Sequence, residues 1–444
     1  MNKKVDDILK EVLERVEPSE QDLEEINKAL KQFKENIWEQ IKKYKLDAVL
    51  FEGGSFAKKT IIKKDNYDID MFIMFSEKFR GQNISKFTEK LLKGIQGTSI
   101  IHGSRDYFKI NKFKNFFIEL IPVIKANDPK KAENITDLSY SHVKYINKKI
   151  KNSKILDEIK IAKAFCYATK TYGAESYING FSGYSLELLV YYYKSFLNFI
   201  KAMAKHKPRV CTRQTSLSNS ECGLEQGKII IDIEKHYKNK NDVLLDMNSS
   251  KLGSPIILVD PTYKQRNALA ALSEETFERF KQESRIFLKN PSIKNFEIKK
   301  IDLDKIKKDA LNKKYEFILL ELKTQKPAGA VAGSKLLKFY NHLGNEIKIF
   351  FELKNKGFEY NQEHSTRCFF AVKPKKEIII EGPFTKDKKN TKTFKKLHKK
   401  TFYKSNKIYA RERVNFSLKK FIENWKEKYQ RKINEMSISE LNVV

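Results

Sequence analysis

Gly53-Gly54-Ser55-Phe56-Ala57-Lys58-Lys59-Thr60, a short connector, and then Asp68-Ile69-Asp70 decide how this chain is read. An apolar run, Ala48 to Phe51, precedes them, and another, Ile69 to Phe75, contains their end, so the stretch reads as strand, turn, strand. Alternate residues of a strand share a face, so Asp68 and Asp70 project together on either side of Ile69. Two acids so close repel one another, which favours bound cations. Oxygen-only ligands suit Mg2+, which keeps waters and combines one or two carboxylates with substrate phosphates. Gly53 and Gly54 let backbone approach a ligand closely, and a helix after the turn would offer its N–H groups to phosphate. One end of a small sheet thus holds a triphosphate cradle beside a metal site.

A third carboxylate is needed to hold a second metal, and Glu119 is the candidate. It interrupts the apolar run Phe116 to Ile124, where an acid is costly to bury unless it is paired or binds metal. Asp106 is the alternative. Taken singly, a DxD is as often a solvated strand end, and a GGS an ordinary turn. At this spacing, with Glu119 downstream, the chemical reading is favoured.

Working outward, Ser19 followed by Asp22 marks a helix start, and Leu23, Ile26, Leu30, Phe33, Ile37 and Ile41 recur at helical spacing. With the strands above, they form an α/β unit of about 150 residues. Residues from about 150 to 205 read as helical, with Leu186 to Ile200 as one long apolar helix. Lys205 to Gly253 reads as loop-rich, with a strand at Ile229 to Ile233 and no assigned role for Val210 to Gly227. A further strand is expected at Ile256 to Val259, and a helix from Ser273 to Leu288. Beyond residue 300 come a strand at Tyr315 to Lys323, a helix at Lys335 to Asn355, strands at Cys368 to Val372 and Glu377 to Glu381, and a helix from Leu418 to about Glu435. Gly329 to Lys335 misses the GxxxxGK[ST] spacing and reads as a loop before a helix.

Composition bounds the rest. At roughly 150 residues per domain, 444 residues suggest about three domains. Hydrophobic residues at 40% and aromatics at 12% supply real cores, which excludes wholesale disorder. Lys and Arg number 88 against 56 Asp and Glu, and the resulting +32 asks for a polyanion, nucleic acid first. A lysine-rich proteome explains some of that excess. No apolar run approaches the ~18 residues of a membrane span, so no membrane partner is expected. The N-terminus lacks a signal-peptide core. Cys166, Cys211, Cys222 and Cys368 form no CxxC pair, which suggests neither a zinc site nor a disulfide framework and fits a reducing, cytoplasmic setting.

GGSxAxxT, DIDxF and IELIP together resemble the nucleotidyltransferase superfamily of polymerase-β type. Later segments resemble one branch, the archaeal (class I) CCA-adding tRNA nucleotidyltransferases. They are DLSYSH at Asp137 to His142, YGAE at Tyr172 to Glu175, GFSGY at Gly180 to Tyr184, ELL at Glu187 to Leu189, and Val259-Asp260-Pro261 followed by Arg266-Asn267. The resemblance covers nearly the whole chain. It implies that Asp68, Asp70 and Glu119 bind two metals, that Ser55 and Lys58 contact the triphosphate, and that Lys163 and Tyr172 reach its β- and γ-phosphates. It also implies that His142 lines the nucleotide pocket and that Arg266 meets the incoming base or the RNA backbone. On spacing alone, Lys163 equally suits a solvated helix face, Tyr172 a core aromatic, His142 a backbone cap, and Arg266 an ion pair with Asp260. Two departures stand out. Glu119 replaces the family's usual Asp, and Arg105-Asp106-Tyr107 replaces its His-Pro-Tyr.

The fold implied is α+β: a mixed-sheet nucleotidyltransferase palm, a helical neck, and a C-terminal α/β body and tail. The expected domains are a catalytic head at 1–148, a nucleotide-selecting neck at 149–298 and a tRNA-binding region at 299–444. The expected reaction adds C, C and A to a tRNA 3′ end from CTP and ATP, with Mg2+ and no nucleic-acid template; a homodimer is allowed. The basic stretch Lys386 to Lys407 contains Phe394, Phe402 and Tyr403, which suits an RNA stem, with Lys395, Lys396, Lys399 and Lys400 as phosphate contacts. A solvated lysine loop is the competing reading. A poly(A)- or oligonucleotide-synthesising relative and a non-catalytic RNA-binding protein are the other functions weighed.

Overall fold

Two helices open the chain, α1 (Lys3–Val16) and α2 (Glu20–Lys43). The Ser19 side chain accepts the Asp22 N–H and caps α2, as the sequence predicts. Ile26, Leu30, Phe33, Ile37 and Ile41 of α2 are buried against a five-stranded sheet. Each such side chain contributes roughly 1.5–3 kcal/mol when fully buried, so the stripe fixes which face of α2 meets the sheet. The computed structural model describes residues 3–103, 105–206, 227–298 and 301–444. They divide into two units, Met1–Lys299 and Lys300–Val444.

The sheet of the first unit is built from β1 (Ala48–Glu52), β2 (Tyr67–Phe75), β3 (Thr98–Ile101), β4 (Tyr107–Ile110) and β5 (Phe116–Ile124), in the order β1-β2-β5-β4-β3. A one-turn helix, α3 (Gly54–Ala57), follows β1, and α4 (Ile84–Leu91) follows β2. The central pair, β2 and β5, is parallel and every other pair is antiparallel. Tyr67, Ile69, Met71, Ile73 and Phe75 of β2 are buried in the core, as are Phe116, Ile118 and Leu120 of β5. Period-2 alternation therefore turns Asp68, Asp70 and Glu119 to the opposite face.

A second core joins α5 (Ser139–Lys149), α6 (Ser153–Ala168), α7 (Gly183–Tyr193), α8 (Phe196–Lys205) and α10 (Glu274–Lys289). Leu9 and Val12 of α1 pack in this cluster, not in the sheet's. A small sheet runs β6 (Ile229–Asp232), β7 (Ile256–Asp260), β8 (Tyr263–Asn267). β7 is buried throughout. Ile256 and Leu258 belong to the helical cluster, and Ile257 and Val259 to a smaller one with Val243 and Leu244 of α9 (Lys240–Asp246).

Several expectations need correction. The run Leu186 to Ile200 is two helices: Lys194 takes the left-handed φ of +68°, and Ser195 caps α8 by accepting the Asn198 N–H. The region expected to be loop-rich contains α9, capped by Asn239. Segment 210–227 lies outside the described residues except for Gly227, and Cys211 and Cys222 lie outside with it. Cys166 and Cys368 are buried free thiols.

In the second unit α11 (Leu303–Asn312) precedes β9 (Glu316–Lys323). Helix α12 (Ala330–Phe350) starts at Gly329, whose φ is +87°, so residues 330–335 are helix and not loop. It ends at Phe350, not at Asn355. From Phe351 the chain is β10 (Phe351–Tyr360), because pairing with β11 (Ser365–Pro374) takes over the backbone hydrogen bonds. The main sheet runs β10-β11-β9-β15, closed by β15 (Glu440–Val443), with α12 and α14 (Leu418–Lys428) packed on it ahead of α15 (Gln430–Glu435). The basic stretch folds as α13 (Lys388–Leu397) and β13 (Thr401–Lys404), which joins β12 (Glu377–Phe384) and β14 (Lys407–Arg413) in a small sheet.

Candidate active site

The parallel register of β2 and β5 sets Asp70 opposite Glu119, with Asp68 on the same face. The turn before β2 bends over this acid face. Gly53 N–H donates to the Asp70 carbonyl at 2.9 Å, and Gly54 has a φ of +58°. A Cβ on Gly54 would lie 1.7 Å from Asp70 Oδ2, so only glycine fits there. Ser55 is half-buried in the single turn of α3. That helix is too short for its dipole to matter much, so any phosphate cradle is local backbone and nearby cations.

The electrostatics of the acid face are set by burial and like charge. Burial, then the charges of Asp68 and Lys58, set the Asp70 carboxyl, which is pushed up to about 6. Burial, then Asp70 and Asp68, push Glu119 up to about 7. Asp68 is paired with Lys64 at 2.5 Å. Asp106, the alternative third acid, meets His102 Nδ1 at 2.9 Å. Among the described residues no group of three or more His, Cys, Asp or Glu side chains is placed so that it could hold a metal ion as the chain stands. The fit to a divalent metal rests on donor chemistry: carboxylate oxygens crowded on one face of the sheet, with Lys64 bonded to Asp68.

Lys58 and Lys163 are both buried and share one acid, Glu187 of α7. Lys58 Nζ lies 2.6 Å from Glu187 Oε2. Lys163 Nζ donates to the Thr60 carbonyl at 2.9 Å and the Thr60 hydroxyl at 2.8 Å, and lies 3.4 Å from Glu187 Oε1. Burial lowers the Lys163 pKa to about 8, with Glu187 opposing. Lys163 is therefore not a solvated helix face. The sequence marks Glu187 only as part of the ELL segment and gives it no role, although a lone acid in Leu186-Glu187-Leu188-Leu189 carries the same signal as Glu119. Tyr172 is half-buried and stacks on Tyr167, ring centroids 4.1 Å apart.

His142, Tyr184 and Arg266 converge on Asp260. His142 Nε2 is 3.1 Å from Asp260 Oδ2, the Tyr184 hydroxyl donates to Oδ1 at 3.0 Å, and Arg266 donates to Oδ2 at 2.5 Å. The His142 and Tyr184 rings stack at 4.1 Å. The Thr262 N–H and hydroxyl add two bonds of 2.8 Å each to Asp260. Burial works against the Asp260 carboxylate, but His142 and Arg266 hold it far below the usual range. The ion pair weighed for Arg266 is thus present. Arg105, the departure before β4, pairs with buried Asp137, which also accepts the Ile124 N–H at 3.0 Å and so fixes the exit of β5. In the second unit Lys395, Lys396, Lys399 and Lys400 are exposed, and Lys395 lies 5.2 Å over the Tyr403 ring. Among the described residues no helix is long and apolar enough to cross a membrane.

Residues 157–297 match the family model described as tRNA nucleotidyltransferase, second domain. The chain is 38% identical over 242 residues to the CCA-adding enzyme of Nanoarchaeum equitans, covering 54% of this chain and 55% of that protein. It is 27% identical over 418 residues to the CCA-adding enzyme of Methanocaldococcus jannaschii, covering 91% and 87%. The match to the Thermococcus gammatolerans CCA-adding enzyme is 28% over 295 residues, covering 65% and 60%. The matches to the first and third relatives thus span little more than half of those proteins' length. Among solved structures, the Cid1 poly(U) polymerase bound to Mg and 3′-dATP aligns with a TM-score of 0.50 at 14% identity, covering 67% of this chain and 100% of that one. That likeness shows the fold. By sequence the chain is similar to the archaeal CCA-adding enzymes, and its α+β architecture is similar in fold to that solved polymerase.

Proposed function

We propose that this chain adds C, C and A to the 3′ end of tRNA from CTP and ATP, without a nucleic-acid template. The observation that carries the reading is the Gly53-Gly54 turn seated over Asp70, with Glu119 opposite on the parallel strand. In the reaction the tRNA 3′-oxygen bonds to the α-phosphorus, the bond to the bridging oxygen breaks, and pyrophosphate leaves. Asp68, Asp70 and Glu119 would hold divalent metal, which we take to be Mg2+. When bound, it supplies a lower pKa for the attacking hydroxyl and charge for the leaving pyrophosphate. Ser55 and Lys58 contact the triphosphate, and Lys163 and Tyr172 reach its β- and γ-phosphates. His142 and Arg266, fixed by Asp260, face the nucleotide and the RNA end.

The working domains are the head at 1–148, the neck at 149–298 and the tRNA-binding region at 299–444. In the last, Lys395, Lys396, Lys399 and Lys400 meet RNA phosphates. A reducing, cytoplasmic setting fits the unpaired cysteines, and a homodimer is compatible with the reaction. The test is incorporation of labelled CTP and ATP into tRNAs ending before the first C, after one C and after two. Addition of C, C and A in order supports the reading. A run of one nucleotide on any RNA would make the chain a poly(A)- or oligonucleotide-synthesising enzyme instead.

A further inference from the structure

Glu187 is fully buried in an apolar helix, where a carboxylate is costly unless charge and hydrogen bonds answer it. Both of its oxygens are answered. Lys58 meets Oε2 at 2.6 Å, while the Thr60 hydroxyl donates to Oε1 at 2.8 Å and Lys163 lies 3.4 Å from the same oxygen. An ammonium has three donors. Lys163 commits all three, to the Thr60 carbonyl, the Thr60 hydroxyl and Glu187. Lys58 commits one, to Glu187, and among the described residues has no other hydrogen-bond partner. Lys58 therefore keeps two donors uncommitted beside Glu187, and these can take an anion. The cluster stands close behind the turn: Lys58 follows Ser55 by one helical turn, and the charges of Lys58 and Lys163 both act on Asp70.

We propose that Glu187 is a positioning residue for the polyphosphate of the nucleotide: it holds the Lys58 ammonium in place, so that the two donors Lys58 keeps uncommitted meet the phosphates. This rests on the nucleotidyltransferase reading and deepens it. It predicts a defect confined to the phosphate tail, which general loosening of the fold would not produce.

The experiment compares equilibrium binding of CTP and CMP to the full chain, together with KM and kcat for CTP addition. Glu187→Gln should weaken CTP by about tenfold or more, the scale of one charge-assisted hydrogen bond. CMP binding should change by less than about twofold, and KM should rise more than kcat falls. Glu187→Asp keeps the charge on a shorter arm and should fall between wild type and Glu187→Gln. It carries the test if Glu187→Gln does not fold. An unchanged CTP-to-CMP ratio in either folded variant, or an equal loss for both ligands, overturns the assignment. A wild-type chain that adds no nucleotide and binds CTP no better than CMP sinks the transferase reading, and this inference with it.

Discussion

Asp70 and Asp260 belong to the same unit, and their surroundings are opposite. Asp260 is buried and receives bonds from His142, Tyr184, Arg266 and Thr262. Asp70 faces two more acids, a backbone turn and no bonded cation among the described residues. The first carboxyl is held far below its ordinary value and the second is pushed up to about 6. A fold stabilises a buried acid by answering it. Where it leaves one without a bonded partner, burial makes the carboxyl hold its proton more tightly. Asp260 is thus a hub of structure, and Asp70 is the acid on which the proposed chemistry rests.

The comparison breaks first at activity. On the proposed metal role, Asp70→Asn should cut nucleotide addition by about a thousandfold or more. The same change should leave tRNA binding intact and, in EDTA, leave the melting temperature unchanged or higher. Glu119→Gln should also cut the rate strongly, and Glu119→Asp should keep measurable activity; steady-state rates across a Mg2+ titration check both. A near-normal Glu119→Gln beside a dead Asp106→Asn would move the third carboxylate to Asp106.

At Asp260 the effect should fall on stability. Asp260→Ala leaves Arg266 and His142 without their shared acid and should cost about 3–5 kcal/mol, read from urea unfolding. An unchanged midpoint would remove the hub. A smaller effect tests lysines in plain solvent. Replacing Lys395, Lys396, Lys399 and Lys400 with Ala should lower the salt dependence of tRNA binding, by about 0.7 to 0.9 in log–log slope for each lost phosphate contact. An unchanged slope would leave α13 as solvated surface.

The smallest effect concerns pH. Burial lowers the His142 pKa from its ordinary 6.5, although Asp260 works the other way. The unfolded chain therefore takes up a proton near pH 6.5 that the folded imidazole still resists. Stability falls as pH drops through that window, and is unaffected by this group above it. His142→Gln should flatten the fall by on the order of 1 kcal/mol or less. Parallel wild-type and variant curves from about pH 7.5 to about pH 5.5 would contradict the assignment.

What was legible in the sequence was local. The turn at Gly53, the alternation of β2 and the cap at Ser19 are short-range patterns, and each is found in the structure. Glu119 stood out because an acid in an apolar strand needs a reason. Glu187 carries the same signal within its ELL segment, but its role is not legible there, because its partners Lys58 and Thr60 lie far away in the chain and nothing marks a lysine as buried. The break at Lys194 was hidden because a lysine in the left-handed region leaves no Gly or Asn to announce it. The end of α12 was hidden because Phe350-Phe351-Glu352-Leu353 suits either period until β11 pairs with it.

The pairing of Asp70 with Glu119 has a consequence for the order in which the molecule comes into being. The two residues sit on neighbouring strands that are adjacent in space and remote along the chain, with α4, β3 and β4 made between them. Contacts of that kind carry a loop-closure cost and tend to form late. A nascent chain could fold α2 onto the β1–β2 hairpin while it still lacked the opposing acid. Affinity for a divalent ion would then appear only when β5 docks, and metal uptake would serve as a clock for completion of the sheet.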